Sequence, residues 1–128
     1  MLSYLTLFFL YSFIGWIIYT SYRSITERRY NSGSFLPFLT PIYGFGGILL
    51  NLFFQVELPI FFHILLGTAL IILLEFLGGI FCVAIFKKRY WNYSQNAYNF
   101  FGHIDLVHSV YWLLLVILFR MLFPFLPL

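Results

Sequence analysis

The stretch IFFHILLGTALIILLEFLGGIFCVAIF, residues 60–86, decides the fold. Apart from Glu75 it holds no charged residue, and its remaining positions are almost all aliphatic, aromatic or small. A bilayer-spanning helix needs about 20 predominantly apolar residues. This run exceeds that length, so tilt or a projecting end is expected.

The rest of the chain has the same character. Of 128 residues, 62% are hydrophobic, 24% aromatic and 9% charged, with a mean hydropathy of +0.95. Ordinary soluble domains are about 45–50% apolar and about 25% charged. A soluble fold is excluded, because so short a chain buries only part of this apolar surface in its own core and the remainder has to face lipid. Polar punctuation divides the sequence into four stretches, at about 4–21, 41–54, 60–86 and 104–123. Pro41 opens the second at a favoured early-helix position, Gln55-Val56-Glu57-Leu58-Pro59 makes a tight turn, and Pro124 and Pro127 close the fourth. The expectation is an all-α integral membrane protein, a four-helix transmembrane bundle forming a single transmembrane domain over residues 1–128. The first stretch has neither a basic n-region nor a small-residue cleavage site, so it is expected to be a retained helix.

The bases set the topology. Arg23, Arg28 and Arg29 fall in the first connection and Lys87, Lys88 and Arg89 in the third, while the second carries only Glu57. If all four stretches span, the positive-inside rule makes the two basic loops cytoplasmic and puts both termini outside. Tyr19, Tyr22, Tyr30, Tyr90, Trp91, Tyr93 and Tyr98 fit a headgroup belt at those loops. The net charge of +3 is too small and too tied to topology to suggest nucleic acid. Cys82, the single cysteine, reads as a packed free thiol.

Polar groups within lipid are costly, so their positions carry information. Tyr11, Gly15, Tyr19 and Arg23 form a stripe on the first helix, Gly44, Gly47, Asn51 and Gln55 on the second, and Gly67, Ile71, Glu75 and Gly79 on the third. Small residues in such stripes make helix-packing seams. Glu75 is the only acidic residue deep in a span. It is either a hydrogen-bonded tether between helices or part of a transport path or catalytic site. The fourth helix opens with Gly102-His103-Ile104-Asp105-Leu106-Val107-His108. Asp105 suits a helix N-terminus and His108 lies beside it three residues on, which gives either a cap or a proton-relaying dyad. His103 and His108 diverge, so no metal site is expected, and no cofactor either. His63 and Arg120 sit near the other membrane face as anchors, with Arg120 snorkelling or pairing with Glu57.

Several segments taken together resemble a known family. Tyr11-Ser12-Phe13-Ile14-Gly15-Trp16, Arg23-Ser24-Ile25, Asn31-x-Gly33, Pro41-Ile42-Tyr43-Gly44-Phe45-Gly46, Glu75 with Gly79, Arg89-x-Trp91-Asn92-Tyr93-Ser94 and Asn99-x-x-Gly102 are similar to the ABC-transporter type IV (CmpB-like) family of small multipass bacterial membrane proteins. The resemblance implies a permease-like role in the bacterial plasma membrane. The family pattern carries carboxyls where this chain has Tyr19, Val83 and Asn92, which leaves Glu75 and Asp105 to serve any acid-dependent step.

The leading functional expectation is a component of a transport system, with Arg23, Tyr43, Glu75, Asn99, His103, Asp105 and His108 as ligand-binding residues around a polar cavity in the cytoplasmic half. No phosphate-binding loop is present, so transport would call on a separate ATPase. Four helices are few for an enclosed path, which implies a homo-oligomer or another membrane subunit, with membrane lipids as surroundings. Two alternatives stand beside it. One is an intramembrane enzyme on a lipid or lipid-linked substrate, with Glu75, Asp105 and His108 as catalytic candidates. The other is a non-catalytic accessory subunit.

Overall fold

The computed structural model describes residues 3–30 and 38–126. The family-like positions Asn31 and Gly33, and Pro127, lie outside the described residues. Among the described residues the chain is helical and without strands, with α1 at Tyr4–Glu27, α2 at Pro41–Phe53, α3 at Ile60–Phe86 and α4 at Leu106–Leu122, the last followed by a 3-10 turn at Phe123–Phe125.

Local chemistry sets the helix ends. Ser3 caps α1 by accepting the Thr6 N–H at 3.1 Å, a common N-cap arrangement. The helix then continues past its apolar stretch through residues 22–27 and stops where Arg28 turns left-handed at φ 55°. There the Arg28 and Arg29 amides donate to the Ile25 and Ser24 carbonyls, which satisfies groups that a helix C-terminus otherwise leaves open. Lys87 ends α3 in the same left-handed region, at φ 56°. Asp105 caps α4, accepting the His108 N–H at 2.8 Å.

Three helical stretches, Tyr4–Glu27, Ile60–Phe86 and Leu106–Phe125, are long and apolar enough to cross a membrane. α2 is not. Its 13 residues extend about 20 Å at about 1.5 Å each, short of a hydrocarbon core of about 30 Å. At its start the Thr40 amide donates to the carbonyl of Ser12 at 3.1 Å. Ser12 lies near the middle of the apolar part of α1, so α2 begins partway along its neighbour.

The described chain divides into two compact units after Leu52. In the first, the small-residue stripes of α1 and α2 meet. A Cβ added at Gly15 would fall 2.1 Å from Tyr43 Cγ, one at Gly44 2.2 Å from Ser12 Oγ, and one at Gly47 2.5 Å from the Tyr11 ring. These glycines let the two backbones approach, as seams in lipid require. In the second unit α3 packs along α4. Its interior is mixed, with Ile71, Trp112 and Val116 buried beside His63, Thr68, Glu75 and Asp105. Leu65, Leu73, Leu77, Leu114 and Leu118 point outward, each more than half exposed. Apolar outside with polar groups within is the arrangement for a protein whose solvent is lipid.

Candidate functional site

In the second unit, the connection 87–105 brings chemistry to the end of α3 and the start of α4. It is a folded loop with its own hydrogen bonds. Arg89 Nη1 donates to the Phe101 carbonyl at 3.1 Å, the Trp91 indole to the His103 carbonyl at 3.0 Å, and the Tyr93 amide to the Gly102 carbonyl at 2.8 Å. Asn92 Oδ1 accepts the Ser94 amide at 3.0 Å, which makes an Asx turn. Gly102 closes the loop at φ 73°. A side chain there would be strained and would also press on Arg89, since its Cβ would fall 2.7 Å from Nη1.

This loop carries Tyr93 inward. The sequence placed Tyr93 in a headgroup belt, yet the residue is 8% exposed and its hydroxyl donates to Glu75 Oε2 at 3.2 Å. A phenol offers an apolar ring and a polar tip, and the buried carboxyl gives that tip a partner better than interfacial water. Trp112 turns its indole N–H toward the same carboxyl from α4. Glu75 is 4% exposed, so it lies between donors from the loop and from the neighbouring helix.

On its other face the Tyr93 ring stacks on His108, with centroids 4.0 Å apart and planes 10° from parallel. The His108 ring donates from Nδ1 to Asp105 Oδ1 at 2.8 Å. Asp105, 2% exposed, uses the same oxygen as the α4 cap, while Oδ2 accepts the Asn96 amide. Glu75, Tyr93, His108, Asp105 and Asn96 therefore form a continuous contact chain that holds two buried carboxyls. Sequence separation hid Tyr93, Trp112 and Asn96 from the reading of the residues, because each joins the group only through tertiary contact.

The other expected ligand residues fall elsewhere. The His103 ring lies against α3 where Gly79 leaves room, and a Cβ on Gly79 would come within 2.4 Å of its Nδ1. Thus the Gly79 end of the α3 stripe seats an imidazole and not a helix. Burial, and then the nearby Arg89 charge, hold the His103 pKa below its ordinary value. Asn99 turns into its own loop, donating to the carbonyls of Ser94 and Asn96 and accepting the Gly102 amide. Arg23 and Tyr43 belong to the first unit. Arg23 lies 3.6 Å from Glu27 and over the Tyr19 ring, and Tyr43 fills the gap beside Gly15. Arg120 is not joined to Glu57. Its Nε donates to His63 Nδ1 at 2.9 Å, because the α3–α4 pairing sets the two side chains face to face.

No curated protein and no solved structure matches the chain. The family described as "Putative ABC-transporter type IV" matches residues 6–126. That span takes in α1 from its third residue, α2 to α4 and the whole 87–105 loop, and the chain is therefore a member of this transporter-related membrane family.

Proposed function

We propose that this chain is a permease-like subunit of a transport system in the bacterial plasma membrane, with Glu75 at the centre of its polar site. The observation that carries the reading is the pair of buried carboxyls, Glu75 and Asp105, linked through Tyr93 and His108 beside the basic loop of Lys87, Lys88 and Arg89. Intramembrane carboxyls are costly and commonly mark ion or substrate paths. Glu75 would contact the ligand or its proton, and His108, held by Asp105, would back Tyr93 beside it. His103 and Asn99 would shape the loop over it.

The topology that goes with this reading is a single transmembrane domain whose four apolar segments all cross, with both termini outside and both basic loops in the cytoplasm. The second crossing would include α2, whose start the Thr40 to Ser12 bond ties to α1. A homo-oligomer or another membrane subunit would complete the pathway, and a separate ATPase would drive it. The enzyme alternative draws on the His108–Asp105 pair, but Asp105 spends both oxygens on the α4 cap, His108 and Asn96, which leaves it a poor general base.

The test is a growth or flux phenotype that depends on the gene, measured with Glu75→Gln and Glu75→Leu. Loss of the phenotype in Glu75→Gln, with the protein folded and inserted at wild-type levels, is the expected result. A silent Glu75→Gln together with a misfolded Glu75→Leu would reduce Glu75 to a structural tether.

A further inference from the structure

At the opposite end of the α3–α4 pair from the 87–105 loop, the structure opens a cavity of about 500 Å³ whose lining includes Gln55, Val56, Glu57, His63 and Arg120. This is within the range of about 300–1,000 Å³ usual for small-ligand sites. Its floor is built. His63 is 3% exposed, and its ring lies between two partners, the Val56 carbonyl at 2.7 Å from Nε2 and Arg120 Nε at 2.9 Å from Nδ1. An arginine Nε can only donate, so Nδ1 accepts and the proton sits on Nε2, donated to Val56. The imidazole is neutral, and it fixes the guanidinium by one edge.

Among the described residues that edge is the only part of Arg120 in use. Among the described residues no acidic side chain pairs with it, and the four Nη hydrogens bond to no protein group. A guanidinium held by Nε presents its two Nη groups in the geometry that takes phosphate oxygens in pairs. Glu57 lines the same cavity from an exposed turn, and it too has no basic partner among the described residues. One cavity therefore offers a fixed cation and a separate carboxylate.

We propose that this cavity binds a phosphoethanolamine group, with the phosphate on Arg120 and the primary ammonium on Glu57. A purely anionic ligand would meet Glu57 unfavourably. A phosphocholine would satisfy Arg120 but has no N–H to give Glu57. The cavity lies at the α3 start and the α4 end, where a spanning helix leaves the apolar region, so a membrane lipid headgroup can reach it. A soluble phosphoethanolamine ester carries the same chemistry.

The experiment uses the full chain in nanodiscs of equal phosphatidylethanolamine, phosphatidylcholine and phosphatidylglycerol, with retained lipid identified by native mass spectrometry. The wild type retains phosphatidylethanolamine about tenfold over phosphatidylcholine. Arg120→Gln abolishes retention and Arg120→Lys keeps part of it. Glu57→Gln, at an exposed side chain, binds the three headgroups alike. Glu75→Gln loses the transport phenotype but keeps the wild-type lipid preference, which separates this site from the transport site. Soluble O-phosphoethanolamine added in excess distinguishes the sources: displacement identifies a soluble ester as the occupant, and no displacement identifies the lipid. Equal retention of the three lipids by the wild type, or an unchanged preference in folded Glu57→Gln, overturns the proposal.

Discussion

Replacing Tyr93 with Phe removes one oxygen and keeps the ring that stacks on His108. The lost hydroxyl is a donor to Glu75, whose burial to 4% exposure denies it water as a replacement. An unsatisfied buried polar group costs about 1–3 kcal/mol. Two details place this case at the low end. The 3.2 Å distance is longer than the usual range of about 2.5–3.0 Å for O–H···O bonds, and Trp112 still faces the carboxyl. Tyr93→Phe is therefore expected to lose about 1 kcal/mol of stability, measured by denaturant titration in lipid micelles and followed by circular dichroism. Combined with Glu75→Leu, the cost should nearly disappear, with a coupling energy of about 1 kcal/mol. Tyr93→Leu should lose about 0.5–1.5 kcal/mol more than Tyr93→Phe, through the missing ring contact. Strictly additive Tyr93→Phe and Glu75→Leu effects would refute the contact chain on which the site rests.

Gly79→Ala is expected to lower stability by about 1–3 kcal/mol through overpacking, since its Cβ would fall 2.4 Å from His103 Nδ1; the same titration reads it. Gly102→Ala puts an L side chain at φ 73°, at a cost of about 1–2 kcal/mol, and should also release Arg89 from the Phe101 carbonyl. The depressed His103 pKa makes stability pH-dependent. Below the unfolded value of about 6.5 the unfolded chain binds the proton more readily. The contribution is therefore full above about pH 6.5 and falls away as pH drops toward the depressed folded value. Comparing denaturation midpoints at neutral and acid pH for the wild type and His103→Gln checks it, and the wild type should show the steeper loss.

Apolar run length made α1, α3 and α4 legible, because lipid contact selects composition directly. Asp105 was legible as a cap and His108 as its neighbour, since both effects act within one helical turn. Glu75 stood out because nothing else near it in sequence is charged. Tyr93 was misplaced at the interface because its fate depends on a carboxyl 18 residues away. Arg120 was expected to snorkel or to pair with Glu57 for the same reason, when its partner His63 lies 57 residues back. The bounds of α2 were legible, 41–54 against Pro41–Phe53. Length does not carry its expected crossing of the bilayer, since its 13 residues fall short of about 20 and start where Thr40 meets Ser12.

That meeting bears on the order of assembly. An isolated helix of 13 residues is below the length that partitions into a bilayer by itself. In a membrane, α2 has to enter against an α1 that is already in place, with the Ser12 carbonyl receiving the first amide and the glycine seam receiving the rest. Biogenesis of the first unit is then templated from its N-terminal helix, and a lesion in the seam, such as a bulky residue at Gly15, would surface as a failure of insertion before any transport defect could be seen.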